Sequence, residues 1–170
     1  MNQEETISAI STAMGNAGIG IVRMSGEKAI DIADKIFFAM NRQPLKNISA
    51  KTATLGKILD ADGKIIDEAI CLIMRTPNSY TKEDVVEFQC HGGMTVLQNV
   101  LRRTFEEGAR PAERGEFTKR AFLNGRIDLS QAQAVMDVIQ AKTSVALSAA
   151  QNQLAGKTSK KIRDSRSSIL

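Results

Sequence analysis

The chain has 170 residues, of which 42% are hydrophobic and 25% charged, a composition typical of a folded protein with a real core. No run of about 18 apolar residues predicts a membrane span, and the acidic N-terminus argues against a secretory signal, so we expect a cytoplasmic protein. The net charge is +4. Two cysteines cannot form a disulfide framework. Because the chain has only one histidine, a zinc site is not expected, and we expect no metal site in this chain.

The first third of the chain predicts two strands and a helix. Strand patterns at 5–12 and 18–25 are joined by the sequence AMGNAG. Ser25 is a candidate cap for a helix that begins near Gly26. The apolar positions with helical spacing are Ala29, Ile32, Ala33, Ile36 and Phe37.

A hairpin, a further strand and a helix follow. The apolar runs at 52–60 and 64–74 flank Asp62-Gly63, a dipeptide that favours a hairpin turn. The sequence VVEFQC at 85–90 predicts a strand, and a polar loop containing Pro77 precedes it. The inner face of the next helix is predicted at Leu97, Val100, Leu101 and Phe105, with Gly108 as its terminator.

Strand signals vanish after about residue 118. A short helix at 117–124 is closed by Gly125, and Ser130 with Gln133 matches a capping box before a helical stretch that continues almost to the end. The final SRSSIL carries no helix-stop signal, so we expect a fragment that ends inside a helix. The predicted fold class is α+β: a mixed β-sheet with packed helices in a domain at 1–118, followed by an all-α segment at 119–170.

The segment 157–166 is strongly basic. It carries five lysines and arginines against one acid, Asp164. Such a segment is either a solvated helix face or a contact for nucleic acid or an acidic partner. The chain has one Tyr and no Trp, so an aromatic platform for single strands is not evident.

Cys90 and His91 stand next to each other at the end of a predicted strand. Because successive strand residues point to opposite faces, the two side chains should diverge. A Cys-His nucleophilic pair needs hydrogen-bond reach, so we favour Cys90 as a small buried hydrophobe over a catalytic thiol.

Gly92 and Gly93 follow, between the strand and the next helix. Backbone N–H groups at such a turn can hold an anion, and His91 would stand at its rim, so His91, Gly92 and Gly93 are possible cleft-lining residues. The alternative is that the glycines serve only a sharp turn.

Two charged residues lie within strand patterns. Glu87 is either solvent-facing or bound to a partner, because burying an unpaired carboxylate is costly. A buried carboxylate can accept two hydrogen bonds from a cyclic amidine, such as the edge of a pteridine ring. Arg23 is either a simple edge charge or a grip for a carboxylate or carbonyl in a cleft.

Three segments carry a resemblance to a known family: GIGIVRMSG, PNSYTKEDVVEFQCHGG and GEFTKRAFLNGRIDLSQAQAVMDVIQAKT. They closely resemble the N-terminal part of the MnmE (TrmE) family of bacterial tRNA modification GTPases, over about residues 5–165. The resemblance implies a fold like the folate-binding domain of the glycine-cleavage aminomethyltransferase. It also implies that this domain binds 5-formyl-tetrahydrofolate, or a related one-carbon folate, and forms a homodimer. A helical domain follows, with a GTPase domain inserted in it.

The family's activity is implied in the same way. With the flavin protein MnmG, it builds an aminomethyl-type group on carbon 5 of the wobble uridine of certain tRNAs, and the folate supplies the one-carbon unit. GTP hydrolysis depends on potassium and magnesium. The family's folate contacts match Arg23, Glu87 and Arg126, the last at a position that other members fill with lysine. No catalytic residue is expected in this chain.

The sequence also departs from the family. The loop AMGNAG lacks the usual proline pair and arginine. Gly156-Lys157-Thr158 is not a phosphate loop, because Gln151 stands where the first glycine is required. The family's C-terminal cysteine motif is also not found here.

Three functional readings follow. In the first, the chain is the folate-binding and dimerising part of a tRNA-modifying GTPase and cannot itself hydrolyse GTP. In the second, it is a stand-alone folate-binding dimerisation module. In the third, its basic segment binds tRNA directly, although no known RNA motif is present.

Overall fold

The computed structural model describes residues 5–15 and 17–156, and these form two compact units that divide between Arg114 and Gly115. The sequence places the boundary near residue 118, close to this division. The assignment of folate binding and dimerisation to the first domain stays a prediction. Among the described residues, no helix is long and apolar enough to cross a membrane.

The first unit is built on a seven-stranded sheet in the order β3-β4-β5-β6-β2-β1-β7. Its neighbours are antiparallel except for the parallel pair of β1 and β7. The strands are β1 Ile7–Ile10, β2 Ala17–Ser25, β3 Phe37–Ala39, β4 Ala53–Leu59, β5 Ile65–Met74, β6 Val85–Gly92 and β7 Arg110–Pro111. The mixed sheet confirms the predicted α+β class.

Two helices, α1 Ala29–Ile36 and α2 Met94–Glu106, pack on one face of the sheet. Apolar strand residues at alternate positions meet them, so burial follows the period of two in the strands and the helical period in α1 and α2. The ring of Phe88 lies 5.8 Å from that of Phe37, in a stacked arrangement. Completely buried members of this core include Val22, Met24, Ile36, Ile58, Val86 and Phe88.

The hairpin of β4 and β5 turns at the predicted dipeptide. Gly63 has φ 78°, a conformation that glycine adopts without strain. The Asp60 carboxylate accepts hydrogen bonds from the backbone N–H groups of Asp62 and Lys64 and so closes the turn.

The predicted start of α1 is wrong in detail. The helix begins at Ala29, and the Ser25 side chain does not cap it. Ser25 lies within β2, and its hydroxyl bonds to Glu83 and Thr81 on the loop before β6. Phe37 has extended backbone and starts β3, so it extends the core beyond the helix instead of belonging to it.

The second unit is helical, with α3 Glu116–Leu123, α4 Leu129–Gln140 and α5 Ser144–Leu154. The predicted capping box lies two residues too far along the chain. Asp128 is the N-cap of α4: its carboxylate accepts the backbone N–H of Gln131, and the Gln131 side-chain oxygen accepts the backbone N–H of Asp128. Asp at N-cap with Gln at N3 thus makes the reciprocal pair that was predicted for Ser130 and Gln133. The basic segment 157–166 and the SRSSIL end lie outside the described residues.

Candidate functional site

The face of the sheet opposite α1 and α2 carries the charged pair that the sequence singled out. Strand residues on this face alternate with the buried core residues. One row across the sheet consists of register partners on four neighbouring strands, Leu72, Glu87, Arg23 and Ala9. The next row pairs Leu55 with Ile70, two apolar side chains that remain exposed.

Arg23 and Glu87 are direct cross-strand partners on β2 and β6. The Nε of Arg23 donates a hydrogen bond of 2.7 Å to Oε1 of Glu87. Glu87 is 9% exposed, and its second oxygen, Oε2, accepts no hydrogen bond from any residue that the structure describes. A buried carboxylate thus retains an open acceptor on the sheet face.

The pairing explains how Glu87 can be buried. An isolated carboxylate in this position would lose its hydration without compensation, and the guanidinium supplies a charge-assisted hydrogen bond in its place. The sequence predicts a separate ligand group for each of the two residues. In the structure the two residues form one ion pair, and its Glu87 carboxylate can accept hydrogen bonds from a cationic or N–H-rich edge of a ligand.

Arg126 lies in the second unit and is exposed. It directly follows Gly125, whose φ of 67° ends α3, and its backbone N–H donates to the Ala121 carbonyl at 2.8 Å. The two units are each described by themselves, so a shared site of Arg126 with Arg23 and Glu87 stays a prediction.

His91 has a partner that sequence reasoning missed. Asp67 on β5 accepts the backbone N–H of His91 at 2.8 Å, and its other oxygen lies 2.7 Å from the ring Nδ1. The His91 side chain is exposed, whereas that of Asp67 is nearly buried. In the sequence, Asp67 is recognisable only as an acidic residue within a strand, and that pattern does not indicate which residue Asp67 pairs with.

The two glycines after His91 differ in their surroundings. A side chain at Gly92 would collide with the Ala17 carbonyl of β2, so close strand approach accounts for this glycine. Gly93 is the N-cap of α2, and nothing crowds it. Cleft lining by His91, Gly92 and Gly93 stays a prediction.

Both cysteines are buried on the helix-covered face. Burial, aided by the nearby Asp67 carboxylate, raises the pKa of the Cys90 thiol to about 12. Burial also raises the pKa of the Cys71 thiol, with a further contribution from Cys90. A nucleophilic cysteine needs a lowered pKa and access, so the environment of these two thiols is that of packing groups.

The loop between β5 and β6 is more ordered than its polar composition indicates. Thr81 and Ser25 are completely buried, and their hydroxyl oxygens lie 2.6 Å apart. The loop also brings Tyr80 to the site, with its ring centroid 5.9 Å from Cζ of Arg23. Sequence reasoning missed this residue, because a single tyrosine in a polar loop gives no periodic signal.

Comparison with known proteins gives the chain its family. The family described as GTP-binding protein TrmE N-terminus matches residues 6–126. The chain belongs to this family. The matched range begins at the edge of β1 and ends at Arg126, so it contains all three predicted folate contacts.

Relatives of the TrmE N-terminus family extend the similarity over nearly the whole chain. The tRNA modification GTPase MnmE of Acetivibrio thermocellus is 52% identical over 171 residues, which cover 100% of this chain and 37% of the relative. The MnmE proteins of Clostridioides difficile and Geobacillus thermodenitrificans are 52% and 50% identical, over 98% and 100% of this chain. The chain therefore spans little more than a third of these relatives.

Proposed function

We propose that this chain is the folate-binding and dimerising part of a tRNA modification GTPase. The whole protein would act in the cytoplasm with the flavin protein MnmG and add an aminomethyl-type group to carbon 5 of the wobble uridine in tRNA. The name shared by the relatives, tRNA modification GTPase MnmE, supports the RNA-modifying and GTP-hydrolysing parts of this proposal. GTP, Mg²⁺ and K⁺ would bind elsewhere in the whole protein, since no phosphate loop is present in this sequence.

The observation that carries the folate proposal is the open Oε2 of Glu87. A carboxylate on a side chain that is 12% exposed, with one oxygen already hydrogen-bonded, is suited to accept N–H groups from a ligand with an amidine edge. The pteridine ring of 5-formyl-tetrahydrofolate has such an edge. The residues present fit this ligand, which would supply the one-carbon unit.

Each of the three residues has a distinct role in the proposal. Glu87 would accept hydrogen bonds from the pteridine edge, and Arg23 would orient the carboxylate through its hydrogen bond to Oε1. Arg126 would attract a carboxylate or carbonyl of the same ligand, with the planar donor geometry of arginine in place of the lysine of other members. None of the three would carry out a chemical step.

The experiment that tests this function is calorimetric titration of 5-formyl-tetrahydrofolate into the protein and into Glu87→Gln. The amide keeps the size of the side chain but loses the charge and turns one acceptor into a donor, so we expect affinity to fall at least about tenfold. Glu106→Gln, an exposed acid on α2, is the matched control and should bind as the unmodified protein does. Equal affinity of Glu87→Gln and the control would reject the proposed role.

A further inference from the structure

Three polar residues of β6, Glu87, Gln89 and His91, share the open face of the sheet, which is the face opposite α1 and α2, because alternate strand residues point to the same side. Glu87 pairs with Arg23, and His91 pairs with Asp67. The side-chain amide of Gln89, by contrast, forms no hydrogen bond with any residue that the structure describes. Its two N–H donors and its acceptor oxygen are therefore available to a ligand.

Gln89 lies between two apolar side chains on the open face. Its register partners are Ile21 on β2 and Ile70 on β5. Gln89 itself is half-buried, so its amide still reaches water. A ligand that lies on this face would displace that water, and neither isoleucine can replace the lost hydrogen bonds. The ligand itself must then supply them, because an unsatisfied amide is costly to bury.

The loop before β6 determines which way a ligand at Glu87 can extend along the strand. The preceding residue of β6 on the open face is Val85, which pairs with Ser25, and both are completely buried. Thr81 of the loop is also completely buried, and its hydroxyl oxygen lies 2.6 Å from that of Ser25. Protein therefore fills this end of the face, and a ligand anchored at Glu87 extends toward the half-buried Gln89.

The neighbours across the sheet offer no alternative partner for a polar group of the ligand. Arg23 occupies the β2 side of Glu87 and is hydrogen-bonded to it. Leu72 occupies the β5 side and has no polar atom in its side chain. Gln89 is thus the adjacent residue on the open face whose side chain can form a hydrogen bond with a second polar group of the ligand.

The spacing of Glu87 and Gln89 matches the dimensions of a reduced pteridine with a formyl group. Residues two apart in a strand are separated by about 6.7 Å, and their side chains stand roughly perpendicular to the sheet. In 5-formyl-tetrahydrofolate the amidine edge and the formyl oxygen lie toward opposite ends of the fused rings, at a comparable separation. A ligand whose amidine edge meets Glu87 therefore brings its formyl group to Gln89.

We infer that Gln89 is a specificity-determining residue, whose side-chain N–H donates a hydrogen bond to the formyl oxygen while Glu87 holds the amidine edge. The inference rests on the proposed function for the identity of the ligand, a folate. Tetrahydrofolate without the formyl group lacks this oxygen and leaves the Gln89 N–H without an acceptor. The site thereby selects the folate that carries a one-carbon unit.

Calorimetric titration of two ligands under anaerobic conditions tests the inference: 5-formyl-tetrahydrofolate, and tetrahydrofolate without the formyl group. The unmodified protein should bind the formyl compound at least about tenfold more tightly. Gln89→Met keeps the length of the side chain but removes the N–H donor, so the preference should fall to within about twofold. Gln98→Met changes an exposed glutamine on α2 and is the matched control, which should keep the full preference.

A second variant keeps the shape of the side chain. Gln89→Glu carries an ionised carboxylate, which accepts hydrogen bonds but cannot donate one, so it should lose the preference as well. Repulsion between the new charge and Glu87 acts on the binding of both ligands alike, and the ratio of the two affinities still reports the missing donor.

The outcomes separate the inference from the proposed function. A full preference retained by both Gln89 variants would overturn the inference, and so would equal binding of the two ligands by the unmodified protein. In either case, loss of binding in Glu87→Gln would leave the proposed function standing. Failure of the unmodified protein to bind either ligand would reject the proposed function, and with it the inference.

Discussion

At the scale of single residues, the sequence predicts that Arg23 and Glu87 each need solvent or a partner, but it does not predict that they pair with each other. The need follows from strand alternation, because a charge within an apolar strand must either face solvent or be paired. The pairing depends on β2 lying beside β6 in register, and these strands are about 60 residues apart in the chain. The same reason explains why Asp67 was missed as the partner of His91.

Cys90 shows that local reasoning succeeds where it depends only on alternation. Its side chain is 2% exposed and lies on the face opposite His91. Replacing Cys90 with alanine should therefore cost about 1 kcal/mol of unfolding free energy through the cavity it leaves, with little change in folate affinity. Urea denaturation measures the first quantity and calorimetry the second.

Cys71→Ala is the matched comparison, since Cys71 is equally buried on the neighbouring strand. The two variants should lose similar stability and keep binding. A loss of folate binding by Cys90→Ala at unchanged stability would instead mean that the thiol belongs to the site.

At the scale of elements, strands and helices with strong periodicity were predicted well, and their ends less well. The hairpin at Asp62-Gly63 and the helix with Leu97 and Val100 follow the sequence pattern. Helix starts depend on which of several polar residues turns its side chain back to the backbone. Ser25 and Ser130 were both plausible caps, and tertiary hydrogen bonding at Ser25 and the neighbouring Asp128 decided against them.

The cap of α4 offers a test at this scale. Asp128→Ala removes the acceptor for the Gln131 N–H and should lower the free energy of unfolding by about 1 kcal/mol. Ser130→Ala should change it by less than about 0.5 kcal/mol, because Ser130 lies inside the helix where alanine is well tolerated. Urea denaturation followed by circular dichroism would compare the two, and a larger loss in Ser130→Ala would contradict the assigned cap.

At the scale of the whole molecule, the class α+β followed from the succession of patterns, whereas the strand order did not. The sheet places β6 between β5 and β2, and β1 between β2 and β7, and no local signal in the sequence specifies these neighbours. Long-range pairing of this kind is decided by how the apolar faces fit together. The open face of the sheet, with exposed Leu55 and Ile70, could therefore not be drawn from the sequence.

The proposed homodimer can be tested on that open face. Placing a charge at Ile70, which is 38% exposed, should weaken self-association if the face is buried between two copies. We expect Ile70→Lys to lower the molar mass measured by light scattering toward that of a monomer. Ile139→Lys changes another exposed isoleucine, on α4, and should leave the mass unchanged; equal masses for both variants would argue against this face.

We propose that the buried Glu87, paired to Arg23 through one oxygen, offers the other to the pteridine ring of a folate. The most direct measurement is a crystal structure of the protein with 5-formyl-tetrahydrofolate. We predict that the amidine edge of the ligand lies within hydrogen-bond distance of Oε2 of Glu87. A ligand bound elsewhere, with Glu87 and Arg23 joined through both oxygens, would contradict the account.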